Sequence, residues 1–284
     1  MTHIWFDNQI LTSETPIFNA LSHGITVGDG VFETCSLING KPFALDRHLA
    51  RLRRSATAVG FPCPEAKTIA DAITQLQAVN QITSGRLRIT LISQETQLGS
   101  ERNETKVSIL IAANTSASTT KYAHLVSLPW RRNEHSPLTG VKSTSYLENV
   151  VALSYAKKHG ADEGIFFNTA GQLCEGTASN LFVERGAEIL TPSLKTGCLA
   201  GVTRELALEW GNAAGIAVRE AEDGELDQEI ITEIKNGKAH IAVSGSIRNI
   251  NPAVAVDGQS ARIGKLTEEL IAVFAQQQQL NLNP

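Results

Sequence analysis

The sequence has few cysteines and no pattern among them: Cys35, Cys63, Cys174 and Cys198 are scattered along 284 residues. None belongs to a C-x-x-C pair, and no His/Cys cluster has zinc spacing. A disulfide framework is not expected in so long and apolar a chain, nothing indicates a structural zinc, and a reducing compartment is expected. The start, Met1-Thr2-His3-Ile4-Trp5-Phe6-Asp7, has neither a basic n-region nor an apolar h-region. No hydrophobic run reaches the length of a membrane span. These absences predict a soluble, cytoplasmic protein with no membrane partner. A basic stripe is also missing. The formal net charge is −4 and the charges are interspersed, which argues against a nucleic-acid partner. The densest basic stretch, Arg47 to Arg54, reads as one helix face. No G-x-x-x-x-G-K-[ST] or G-x-G-x-x-G stands at a strand–helix junction, so nucleotide binding has no support.

What is present is an ordinary globular composition, 42% hydrophobic and 19% charged, long enough for two compact domains. The polar, small-residue run from Asn114 to Thr120 follows the strand-like Val107-Ser108-Ile109-Leu110-Ile111. It predicts a linker over 114–121 between a smaller N-terminal α/β domain (1–113) and a larger C-terminal domain (122–284). Phe32 to Ile38 and Lys41 to Leu45 read as strands joined at Asn39-Gly40. Asp46 reads as the cap of a helix to about Val59, with Gly60 just beyond. Arg86 to Ser93 alternates as a strand does. Further on, the pattern predicts a strand near His124 to Leu128 and a helix from Tyr146 to His159. Short strands follow near 164–167, 181–183 and 188–190, then a helix over about 202–214. A strand at Ala239 to Val243 and a terminal amphipathic helix over about 265–279 complete it. Helices and irregularly connected strands without regular βαβ alternation imply a two-domain α+β or α/β fold.

Lys142 lies in Gly140-Val141-Lys142-Ser143-Thr144-Ser145-Tyr146, between a strand and a helix. Lysine forms Schiff bases when burial or cationic neighbours lower its pKa. A lone loop lysine is ordinarily a surface residue, and Glu175 shifts that balance. It stands in Leu173-Cys174-Glu175-Gly176-Thr177-Ala178-Ser179-Asn180, an acid among small residues that a flat heteroaromatic ring can approach. A carboxylate at a pyridine nitrogen keeps it protonated and makes the ring an electron sink. By itself such an acid is a turn residue. Gly201-Val202-Thr203-Arg204 opens a helix whose free N–H groups suit a phosphate. Ser244-Gly245-Ser246 at a strand end and Arg51 supply further donors. Each also has a plain reading, as a helix start, a turn or a surface arginine.

Together these residues resemble the class IV aminotransferases, the fold type IV pyridoxal-phosphate enzymes with the D-amino-acid-aminotransferase-like fold. The resemblance runs through Gly28-Asp29-Gly30-Val31-Phe32-Glu33-Thr34, His48-x-x-Arg51-Leu52 and Lys142. It continues through Glu175-Gly176 to Asn180-Leu181-Phe182, Thr191-Pro192 and Gly201-Val202-Thr203-Arg204. It ends at Ser244-Gly245-Ser246, Pro252 and Asp257-Gly258. It implies pyridoxal 5′-phosphate as cofactor, held in a Schiff base by Lys142, with Glu175 at the pyridine nitrogen. It implies that Arg51, the backbone of Val202 and Thr203, and Ser246 hold the phosphate. It further implies that Tyr146, one helical turn past the lysine, reaches toward the cofactor's phenolic oxygen. It also implies a homodimer in which each active site takes residues from both chains.

Within the family, three segments resemble the 4-amino-4-deoxychorismate lyases: Lys142 to Asn149, Phe167 to Thr177, and Ser244 to Pro252 with Arg248. That resemblance implies elimination of pyruvate to give 4-aminobenzoate for folate synthesis, with Arg248 as the candidate for a substrate carboxylate. The alternative is an aminotransferase acting on branched-chain or D-amino acids with 2-oxoglutarate. A more remote alternative is a catalytically idle pyridoxal-phosphate protein, against which the intact lysine and glutamate argue. Two segments depart from the pattern. Ile92-Ser93-Gln94-Glu95 stands where many members have an Arg-Gly pair, and Lys235 to His240 interrupts the strand before the last phosphate loop.

Overall fold

The computed structural model describes residues 2–102, 106–115 and 120–284. The chain divides into two compact units. One comprises Met1–Ser118, Val141–Tyr146 and Leu282–Pro284; the other comprises Thr119–Gly140 and Leu147–Asn281. Residues 116–119 of the expected linker over 114–121 lie outside the described residues.

The first unit contains β1 (His3–Phe6), β2 (Gln9–Thr12), α1 (His23–Thr26), β3 (Gly30–Ile38), β4 (Lys41–Pro42), α2 (Leu45–Ala58), α3 (Ala66–Asn80), β5 (Ser84–Ser93) and β6 (Val107–Asn114). Among its described residues, six strands form an antiparallel sheet in the order β2-β1-β6-β5-β3-β4. The β3–β4 hairpin turns at Asn39 and Gly40, both with positive φ (51° and 77°), as a two-residue hairpin with matched twist requires. Successive residues of β3 point to opposite faces. Val31, Cys35 and Leu37 therefore face the core, where Leu49, Leu52 and Ala56 of α2 join them. Each such leucine contributes about 1.5–3 kcal/mol by leaving water. Glu33 shares this parity, and so a carboxylate is carried into an apolar layer.

Two expectations need correction here. Asp46 does not cap α2: Ala44, in a left-handed conformation, is the N-cap, and Asp46 sits in the first turn. The basic stretch is not one face either, since Arg51 is buried while Arg53 and Arg54 are exposed. The sequence reading also leaves α3 unassigned, although Ile69, Ala72, Ile73 and Leu76 recur at helical spacing and are buried.

The second unit contains β7 (Ala123–Arg132), α4 (Leu147–Lys158), β8 (Glu163–Asn168), β9 (Leu173–Gly176), β10 (Asn180–Arg185), β11 (Glu188–Thr191), α5 (Val202–Ala213), β12 (Val218–Glu220), α6 (Glu229–Lys235), β13 (Ala239–Gly245), β14 (Asn249–Val256), β15 (Gln259–Ser260) and α7 (Lys265–Leu280). Its mixed sheet runs β12-β11-β10-β13-β14-β7-β8-β9, with β15 on β14. Residues of β8, β10 and β13 are nearly all buried, which explains their continuous apolar runs. The Lys235–His240 departure is a turn: α6 ends at Lys235, Gly237 takes φ 69°, and β13 begins at Ala239.

Candidate active site

The segment around Lys142 packs in the first unit rather than with the C-terminal elements that surround it in sequence. Its backbone decides this. Phe32 N–H donates to the Lys142 carbonyl at 2.9 Å, Thr144 N–H donates to the Gly30 carbonyl at 2.8 Å, and Lys142 N–H donates to Ser55 Oγ at 3.2 Å. The segment thus extends the start of β3 as a short bridge, Val31 opposite Ser143. Helix α4 begins only at Leu147, so Tyr146 is not a helical turn away from Lys142. The chain between them is non-helical, and Tyr146 N–H donates to the Thr144 carbonyl at 2.7 Å.

Phe32 organises what lies around the lysine. Lys142 Nζ is 4.6 Å from its ring centroid, and Tyr146 meets it edge-on at 5.4 Å. Arg88 of β5 stacks its guanidinium 3.6 Å from the centroid. Arg88 is paired with Thr34 in the sheet, so it is a diagonal, same-face neighbour of Phe32. The sequence reading passes over Arg88. Its only signal was the alternation of Arg86 and Arg88 along one face of β5.

On the core face of β3, Glu33 is fully buried. Arg51 grips it as a fork, Nε donating to Oε1 at 2.7 Å and Nη2 to Oε2 at 2.8 Å. His48 Nδ1 lies 2.7 Å from Oε2. Burial by itself would raise the Glu33 pKa, but the Arg51 charge and the bonds from Arg51 and His48 hold it far below the usual carboxylate range. Burial depresses His48, against the pull of Glu33. An ionised carboxylate only accepts, so His48 donates from Nδ1, and burial favours its neutral form. Glu33 appears in the motif quoted from the sequence without a role there; a charged residue at core parity was the available signal.

The remaining predicted residues belong to the second unit. Glu175, on β9, accepts from Leu199 N–H at 2.9 Å through Oε2 and lies 3.2 Å from Arg132 Nε through Oε1. Arg132 also bonds Glu148. Leu199 leads directly into α5, whose N-cap is Gly201 with no side-chain capping bond. A Cβ there would collide with Asn180 Oδ1 unless that side chain shifted. Asn180 in turn donates to the Leu199 carbonyl at 2.8 Å and pairs across the sheet with Ser244. Glu175, the uncapped helix start at Val202 and Thr203, and the Ser244-Gly245-Ser246 strand end therefore share one neighbourhood. Arg248 Nη1 lies 3.2 Å from Oε2 of the fully buried Glu163. Glu163 Oε1 also takes the Thr177 hydroxyl and Ala178 N–H, the latter at 3.1 Å.

Residues 30–252 match the model of the family described as Amino-transferase class IV. The chain belongs to the class IV aminotransferases. It is 30% identical to the aminodeoxychorismate lyase of Bacillus subtilis (strain 168), over 76% of each chain. It is 26% identical to the branched-chain-amino-acid aminotransferase of Salmonella typhimurium, over 96% of this chain and 91% of that one. Among solved structures it resembles the branched-chain aminotransferase of Thermoproteus uzoniensis with norvaline, with a TM-score of 0.87, 25% identity, and 97% and 94% of the two chains covered. The fold is that of the fold type IV pyridoxal-phosphate enzymes. A T.th. branched-chain amino acid aminotransferase solved with pyridoxamine 5′-phosphate shares it, at a TM-score of 0.86, 20% identity and coverage of 97% and 93%. The protein is thus an enzyme of a pyridoxal-phosphate family, a lyase or an aminotransferase acting on small molecules, and pyridoxal 5′-phosphate is its cofactor. The residues present fit that group. An uncapped helix start suits a phosphate, and a carboxylate fixed by Arg132 and Leu199 suits a ring nitrogen.

Proposed function

We propose that the protein is a 4-amino-4-deoxychorismate lyase. Arg248 carries this reading: a guanidinium anchored on a buried carboxylate, two residues beyond Ser246, is a fixed site for a substrate carboxylate. The 30% identity to a bacterial aminodeoxychorismate lyase supports it. In this reading Lys142 holds the cofactor covalently and Glu175 keeps its ring nitrogen protonated. Arg51, the N–H groups of Val202 and Thr203, and Ser246 take the phosphate, and Tyr146 takes the phenolic oxygen. Bound there, pyridoxal phosphate supplies an electron sink for a carbanion. The Lys142 amine, freed when the substrate's amine takes its place on the cofactor, would remove the proton from the amine-bearing carbon of the substrate. The bond from the adjacent carbon to the enolpyruvyl oxygen then breaks, the proton goes to the released enolpyruvate to give pyruvate, and the ring becomes aromatic as 4-aminobenzoate.

The second reading is an aminotransferase, favoured by the nearly full-length match to branched-chain enzymes. One experiment separates them. A lyase given aminodeoxychorismate alone releases pyruvate and 4-aminobenzoate through many turnovers, with borohydride fixing the cofactor on Lys142. Amino-group exchange between leucine or D-alanine and 2-oxoglutarate, with no pyruvate from aminodeoxychorismate, would assign the protein to the transaminases.

The reading extends to a homodimer with shared active sites. Helix α4 buries only Ala152 and Ala156 and leaves Leu147, Val150 and Val151 exposed at 74%, 54% and 47%, with Trp130 at 42%. An apolar face of this kind suits a second copy of the chain. A cytoplasmic location agrees with the four free thiols. Among the described residues no helix is long and apolar enough to cross a membrane.

A further inference from the structure

The proposed function uses Arg51 but not the two side chains that hold it. Glu33, His48 and Arg51 are 0%, 1% and 4% exposed, and all three meet at one carboxylate. His48, Arg51 and Ser55 stand at i, i+3 and i+7 of α2, hence on one face. The last of them receives the Lys142 N–H. One stripe of this helix therefore serves both Arg51 and the lysine segment.

We propose that Glu33 and His48 are positioning residues that hold the Arg51 guanidinium in one orientation for the cofactor's phosphate. The inference rests on the reading of Arg51 as a phosphate ligand. A fork through Nε and Nη2 fixes the plane of the guanidinium and hence the direction of Nη1. The fork is itself fixed, because His48 shares Oε2 with Arg51 Nη2 and so sets the twist of the carboxylate. Stability alone gives little reason for the arrangement, since a buried ion pair seldom outperforms well-packed apolar side chains, and the neighbouring positions Leu49 and Leu52 are such side chains. Simple electrostatics predicts the opposite of positioning. A carboxylate beside Arg51 repels a phosphate dianion, so removing its charge would tighten binding if orientation were unimportant.

The test titrates apo-protein with pyridoxal phosphate and, separately, with pyridoxal, which lacks the phosphate. Glu33→Gln is expected to weaken pyridoxal-phosphate binding by about tenfold or more and to leave pyridoxal binding unchanged. His48→Leu should give a smaller loss of the same kind, and His48→Gln, which retains an N–H donor, should restore affinity. Unchanged or tighter pyridoxal-phosphate binding in Glu33→Gln overturns the proposal, as does an equal loss for both ligands. Arg51→Ala separates this inference from the reading beneath it. If Arg51→Ala keeps the preference for the phosphorylated ligand, the phosphate reading of Arg51 fails. If Arg51→Ala loses that preference while Glu33→Gln and His48→Leu keep it, only the positioning fails. Should Glu33→Gln not fold by circular dichroism, His48→Leu decides alone: an undiminished preference overturns the proposal.

Discussion

Glu33 and Glu163 are both fully buried, one in each unit, and each faces an arginine. They are nonetheless opposites. Glu33 takes two bonds from an arginine that is itself buried, plus one from His48, and its charge is locked on. Glu163 accepts from two neutral donors, the Thr177 hydroxyl and Ala178 N–H, and meets one guanidinium nitrogen at 3.2 Å, from an arginine 27% exposed. There burial outweighs Arg248, and the Glu163 pKa is raised. A buried carboxylate is thus set by how strongly its partners favour the charged form as much as by burial itself. In the proposed enzyme the strongly charged set belongs beside the cofactor's phosphate, where nothing need change. The weaker set lies behind Arg248, the residue assigned to a substrate that comes and goes.

The comparison predicts unequal costs of neutralisation. Glu33→Gln leaves Arg51 buried without its counter-charge and is expected to cost about 3–5 kcal/mol in urea unfolding. Glu163→Gln leaves a more exposed arginine and should cost under about 1.5 kcal/mol. Equal costs would remove the distinction. A second contrast sets the two units against each other in catalysis. Glu175→Gln should bind cofactor normally yet lose turnover on the order of 10²-fold, the size of one preorganised electrostatic contact. Arg51→Ala should weaken cofactor binding, with activity partly recovered at excess cofactor. Full turnover in Glu175→Gln would remove the electron-sink assignment.

The smallest effect is in the acid profile of stability. The folded pKa of Glu33 lies below its unfolded value, so its contribution is present at neutral pH and is lost as pH falls below about 4.3. His48, depressed by burial, adds an earlier loss as pH falls through about 6.5, because the unfolded chain takes up that proton first. Glu163 works the other way: its raised pKa lets the folded state bind a proton before the unfolded one, so acid favours folding there. Thermal midpoints measured from neutral to acid pH should therefore fall less steeply in Glu33→Gln and more steeply in Glu163→Gln than in the parent. Shifts in the same direction would contradict the contrast.

Much of the local structure was legible because its signals are local. Asn39-Gly40 specifies a hairpin, Gly60 and Gly160 close helices with φ 73° and 72°, and the alternation of β5 marks a strand with one buried face. Lys142 and Glu175 stand out because the chemistry proposed for them needs particular residue types among small neighbours. Asp46 misled because capping depends on where the helical dihedrals begin, and Ala44, whose N–H donates to the Leu282 carbonyl, takes that place.

By itself, then, the sequence determined many of the elements and the cofactor family, and it nominated the residues proposed to bear the chemistry. Only tertiary structure decided their company. It gave the Lys142 segment to the first unit through backbone bonds to Gly30 and Phe32, more than a hundred residues away in the chain. It turned one arginine of a basic helix inward onto Glu33 and left its neighbours outside. The physical reason is that a charge in an apolar layer must find a partner, and the partner's identity is set by which strand face and which helix face meet, a long-range condition that no local pattern encodes.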